Sequence, residues 1–165
     1  MEYQRFMSKA KIPARLKKED ILALDIATHC GYCSHKGHGT WDFTGRKVNN
    51  YAEHKDFRDT LIRYIQDNNI KVITAEDVTV GTFFHSMRKL SEYRGVLLEV
   101  CDELNLPEPI FINTSAIKKF ATGNGKATKE QMIKAMMEKY NEIPCDDNAC
   151  DAFWLYMLVC KRYRL

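Results

Sequence analysis

The sequence predicts an α/β domain in which a mixed β-sheet carries α-helices on its faces. Three observations lead there. Two apolar runs of strand length, "DILALDIAT" at 20–28 and "IKVITAEDV" at 70–78, each hold an acid within or at the end of the run. Strand-like segments come first and then alternate with amphipathic, helix-length segments, which is the order of an α/β sheet. The connections between them are short, as suits one compact unit over residues 1–165 with a basic N-terminal extension at 1–18.

Taken in order, Ile21, Leu22, Ala23, Leu24 and Ile26 make the first segment a buried strand, with Asp25 inside it. "GHGTWDFTG" is a further strand bounded by glycines. Phe57, Leu61, Ile62 and Ile65 recur at helical spacing, and "DNN" ends that helix. Ile70, Val72 and Ile73 form a strand closing on Glu76 and Asp77. A long helix follows from Phe83, with Met87, Leu90, Val96, Leu97, Val100 and Leu104 on its apolar side, until Pro107 and Pro109 stop it. "PIFIN" is a short strand and "TSAIKKF" a short helix before the loop "ATGNGKA". Thr128 and Gln131 stand at capping-box spacing ahead of a helix whose core face is Met132, Met136, Met137 and Tyr140. The last helix runs from about Asp147 to the basic C-terminus.

The chain has 165 residues, enough to bury roughly two-thirds of its unfolded surface. Its hydrophobic and charged fractions, 45% and 28%, are those of a globular protein. No apolar run has membrane-spanning length, and no membrane partner or nucleotide cofactor is implied. Six cysteines without a signal-peptide layout point to reduced thiols and a cytoplasmic location. Net charge is only +3, but it is clustered. Basic residues gather at 1–18, at Lys118, Lys119, Lys126 and Lys129, and at Lys161, Arg162 and Arg164. Three such clusters favour a polyanionic partner.

Asp25 asks for an explanation, because an unpaired carboxylate inside a buried strand is costly. Asp151 asks again, four residues after Asp147 and among Ala149, Ala152, Phe153 and Leu155. Asp146 or Asp147 serves as an N-cap, which accounts for an acid there but not for Asp151. With Glu76 these acids come from three separate places, and converging carboxylates need a cation to neutralise them. All-oxygen ligands select a hard ion, Mg²⁺ or Mn²⁺. Two such ions activate a water and stabilise the leaving oxygen of a phosphodiester.

These motifs together resemble the RuvC-type Holliday-junction resolvases. "ILALDIATHCGYC", with Gly31 after a small-residue turn, is similar to the family's first motif, and "ITAEDV" to its second. "TGNGKATKEQM" resembles its loop of glycines and lysines, and "DDNACDAFWLY" its final Asp-Ala helix. The resemblance covers about residues 20–160 in the family's order, and the small size resembles the phage-type branch, hence a host cytoplasm. It implies an RNase H-like fold, a homodimer, and Mg²⁺-dependent paired nicking of a four-way DNA junction. It implies that Asp25, Glu76 and Asp151 are metal ligands, with Asp147 as the fourth or Asn148 in its place. Lys129 matches a basic residue near the scissile phosphate, Lys118 or Lys119 matches another, and Lys126 lies in the same loop. Phe83 and Phe84 are candidate wedges at the junction centre, although the family places its aromatic where Thr79 stands here.

The segment "THCGYCSHKGH" raises a competing reading, a zinc knuckle. Cys30, Cys33 and His38 match its first three ligands, but the fourth position is Phe43. A structural zinc site is a closed four-ligand cage, so the two cysteines are expected to be small buried side chains instead. Two alternatives to the junction resolvase stand beside it. One is an RNase H-like nuclease acting on other branched, hybrid or RNA substrates; the other is a non-catalytic nucleic-acid-binding protein.

Overall fold

The computed structural model describes residues 10–44, 49, 51–77 and 84–165, with the backbone alone for Phe84 and His85. The strands are β1 (Ile21–Asp25), β2 (His29–Ser34), β3 (Gly37–Asp42), β4 (Val72–Glu76) and β5 (Ile110–Ile112). The helices are α1 (Ala52–Asn68), α2 (Phe84–Glu103), α3 (Thr114–Thr122), α4 (Lys129–Tyr140) and α5 (Asp147–Arg162). The sheet order is β3-β2-β1-β4-β5. β1 pairs antiparallel with β2 and β2 with β3, whereas β1–β4 and β4–β5 are parallel. The parallel pairs need crossover connections, which α1 and α2 supply.

Both faces of the sheet are covered, so β1 is apolar throughout rather than alternating. Leu22 and Leu24 pack with Phe57, Leu61 and Ile65 of α1 and with Tyr93, Leu97 and Val100 of α2. Ile21 and Ala23 face the other way, onto Ala152, Leu155 and Val159 of α5 and the helices α3 and α4 beside it. Asp25 continues the second row, because side chains of a strand alternate between faces. Its sequence position therefore aims it at the start of α5. In β4 the same rule sends Ile73 and Ala75 toward α1 and α2, and Thr74 and Glu76 toward α5.

α5 lies directly against the sheet because of one glycine. Gly31 of β2 sits opposite Asp25, and a Cβ there would stand 2.0 Å from the carbonyl oxygen of Asn148. No larger residue fits between β2 and the first turn of α5. Asp146 caps that helix through the Ala149 N–H and also accepts a hydrogen bond from Thr40 of β3, at 2.6 Å. The N-terminus of α5 is thus tied to the sheet from two strands.

Several expectations need adjusting. The strands expected at 20–28 and 70–78 are shorter, Ile21–Asp25 and Val72–Glu76. Gly31 follows the turn after β1, as expected, and lies inside β2. Met137 is 46% exposed, because the buried stripe of α4 runs through Met132, Ala135 and Met136 and the next position turns outward. The capping box of Thr128 and Gln131 is present as expected. Residues 1–9 of the basic extension, and Thr79 and Phe83, lie outside the described residues. Among the described residues no helix is long and apolar enough to cross a membrane.

Gly31→Ala tests the close approach. The clash is with backbone and no side-chain rotation relieves it, so stability is expected to fall by about 3 kcal/mol. Denaturant unfolding measures this; an unchanged midpoint would mean that α5 does not need the contact.

Candidate active site

Asp25 and Glu76 are the last residues of two neighbouring parallel strands, so both project from the same edge of the sheet. Asp151, on the second turn of α5, reaches the same point from the covering helix. One carboxylate oxygen from each of the three lies within 4.8 Å of the others. Thr114, the first residue of α3, donates its hydroxyl to Oε1 of Glu76 and orients that carboxylate.

The electrostatics are those of like charges forced together. Burial, then the neighbouring Glu76, Asp151 and Asp147, hold the Asp25 carboxyl well above the usual range. Burial, Glu76 and Asp147 push Asp151 up to about 7, with Lys118 and Lys129 pulling the other way. Asp147 stands differently. Its Oδ2 is 2.6 Å from the Lys129 ammonium, which holds its carboxyl below the usual range. The structure therefore brings Asp25, Glu76 and Asp151 together and leaves Asp147 beside them in an ion pair. Asn148 lines a cavity with Asp25 and Glu76.

Lys118 on α3 is partly buried near Asp151, and Lys129 opens α4. Lys119 and Lys126 are exposed on the same α3–α4 corner. Phe84 begins α2, but its side chain, like Phe83, is outside the described residues. Thr114 was not identifiable beforehand: a threonine after a short strand reads as an ordinary helix start.

The knuckle reading meets a geometric obstacle. Cys30 packs in the core beneath α1 and α2, whereas Cys33 packs beneath α5, on the opposite face. Residues three apart on a strand cannot point to one ion. Burial raises both thiols, which disfavours the thiolate that zinc needs. His38 is committed to Glu142, at 2.6 Å.

Three clustered oxygen donors of this kind suit a hard divalent cation, whose charge would relieve the repulsion among them. With the mixed sheet and its covering helices, they give the arrangement expected of an RNase H-like fold. The chain belongs to the RuvC family: the profile of Crossover junction endodeoxyribonuclease RuvC matches residues 41–158. That span includes Glu76, Lys129, Asp147 and Asp151 and begins after Asp25. No curated protein matches the chain by sequence.

Solved structures agree on the fold. RuvC of Thermus thermophilus in complex with a Holliday junction substrate superposes with a TM-score of 0.70 at 14% identity, covering 87% of this chain and 94% of that one. A second Thermus thermophilus RuvC structure gives 0.67 at 15% identity, covering 87% and 96%. The yeast mitochondrial Holliday junction resolvase Ydc2 gives 0.61 at 13% identity, covering 89% and 82%. By family the protein is an endonuclease of the crossover-junction type.

The raised carboxyls give a stability test. Folded Asp25 and Asp151 hold protons that the unfolded chain releases near pH 4. The folded state binds more protons between that pH and about 7, so metal-free stability falls as pH rises through this window. Thermal melts in EDTA are expected to show that fall and Asp25→Asn to reduce it. A flat profile would mean that neither burial nor mutual repulsion raises these carboxyls.

Proposed function

We propose that the protein resolves four-way DNA junctions by paired, symmetric nicks, using divalent ions held by Asp25, Glu76 and Asp151. The observation that supports this is the convergence of those three carboxylates in a RuvC-family fold. The ions are Mg²⁺, with Mn²⁺ as a substitute, two per site. When bound, they activate the attacking water and stabilise the leaving oxygen. Water attacks the phosphorus in line and the P–O3′ bond breaks, leaving a 5′-phosphate and a 3′-hydroxyl.

The chain's own residues supply the rest. Thr114 fixes the Glu76 carboxylate in one orientation. Asp147 completes the ligand set, with Asn148 on the cavity wall as its substitute. Lys129 is paired with Asp147 in this state, and the approach of a phosphate offers it a second anion. Lys118, Lys119 and Lys126 extend that positive margin along the α3–α4 corner, where the DNA backbone would lie. Phe83 and Phe84 are the proposed wedges. The whole chain acts as one nuclease domain, and two copies act together, one per strand cut. Sedimentation is then expected to give a particle of twice 19.2 kDa.

A labelled four-way junction and a matched linear duplex, each with Mg²⁺, Mn²⁺ or EDTA, test the reading. Symmetric nicks in the junction alone, lost in EDTA, are expected. Asp25→Asn is expected to bind the junction as the parent does and to cut it slower on the order of 10³-fold, about 4 kcal/mol of transition-state stabilisation. A variant that cut at the parental rate would remove the site assignment, and equal cutting of duplex and junction would remove the substrate. Loss of cleavage in Asp147→Asn, with Asn148→Ala unaffected, would make Asp147 the fourth ligand.

A further inference from the structure

Asp25 and Glu76 of the carboxylate cluster form one wall of a cavity of about 340 Å³. The cavity continues around the end of the sheet to the α2 side, where its lining changes character: Ile26, Ala27, Leu90 and Phe111 are apolar. Over this wall lies Arg94 of α2. Its guanidinium carbon is 3.6 Å from the centroid of the Phe111 ring, close enough for stacking. The same guanidinium donates to the carboxylate of Asp77, whose backbone N–H is in turn bonded to the carbonyl of Ile112 at 2.9 Å. Arg94 is thus fixed from two sides, by a ring on β5 and by the acid that follows Glu76.

Ordinary phosphate-backbone contact does not call for such a construction. A phosphate would use the Arg94 guanidinium but would leave the apolar wall of Ile26, Ala27, Leu90 and Phe111 without a partner. A half-enclosed pocket that joins an apolar wall and an aromatic ring to a planar, anchored guanidinium suits a flat heteroaromatic ligand, which has both an apolar face and a polar edge. It opens onto the carboxylates, so its occupant lies next to the bond being cut.

We propose that this cavity is a nucleobase subsite, which takes the base of one nucleotide adjoining the scissile phosphate, with Arg94 as the positioning residue that stacks or bonds against it. This rests on the junction-cleaving function proposed above. An unstacked base held here fixes the rotation of its own phosphate about the strand axis, and so presents the phosphorus to Asp25, Glu76 and Asp151 in one orientation.

Single-turnover cleavage with saturating protein tests it, on junctions lacking the base on one or other side of the mapped nick. If the parent cuts no intact junction, the functional reading fails and the subsite is not reached. If it cuts, removing the base at one of the two positions is expected to slow cleavage about tenfold, and Leu90→Trp, which fills the pocket, to do the same on the intact junction. Together they are expected to add little, because both remove one interaction. Multiplying effects, or no effect of base removal at either position, would overturn the proposal. Arg94→Lys keeps the charge and is expected to fold as the parent does by thermal melt. It should slow the intact junction while cutting the base-less one at the parental rate. Equal slowing of both would make Arg94 a structural residue and overturn its assignment.

Discussion

The repulsion among Asp25, Glu76 and Asp151 is the interaction on which the rest of the structure depends. Each carboxylate is partly buried, their oxygens lie within 4.8 Å of one another, and the pair lifted by burial and charge holds protons that free side chains would lose. Folding does not favour such a cluster on its own account. It persists because the elements that carry it are fixed by packing elsewhere: two strands by a sheet buried on both faces, and α5 by a core that includes Trp154, Leu155 and Val159. The energy that holds the acids together is therefore hydrophobic and remote from the site.

The cations around the cluster moderate the repulsion without removing it. Lys129 neutralises Asp147, which stands at the margin, and Lys118 offsets part of the charge at Asp151. Neither is hydrogen-bonded to Asp25. A lysine inside the cluster would occupy it permanently, whereas a dissociable divalent ion leaves it open to a phosphate oxygen. At the margin Lys129 is largely exposed, so an arriving phosphate can reach its ammonium beside Asp147.

Much of this was legible in the sequence, and for a physical reason. A carboxylate within an apolar run is conspicuous, which exposed Asp25 and Asp151. Glu76 was visible because its strand repeats the pattern of the first. The alternation of side chains along a strand goes further than motif spacing: it places Asp25 with Ile21 and Ala23, facing α5, and it separates Cys30 from Cys33, which the zinc reading needs on one side. Pairs brought together by tertiary packing alone could not be read. Thr114 on Glu76, Arg94 on Phe111 and the contact of Gly31 with Asn148 join residues far apart in sequence, and none carries a local signature. Strand ends were misplaced because apolar composition continues past the last paired residue, as at Ile26. Met137 was misassigned because its neighbour Met136 belongs to the core and it does not.

The central claim is that packing forces three carboxylates into one divalent-ion site, and a crystal soaked in Mn²⁺ and measured at its absorption edge tests it most directly. The account predicts anomalous density bounded by Asp25, Glu76 and Asp151, lost in a crystal of Asp151→Asn. Density elsewhere with none between these three residues would contradict it.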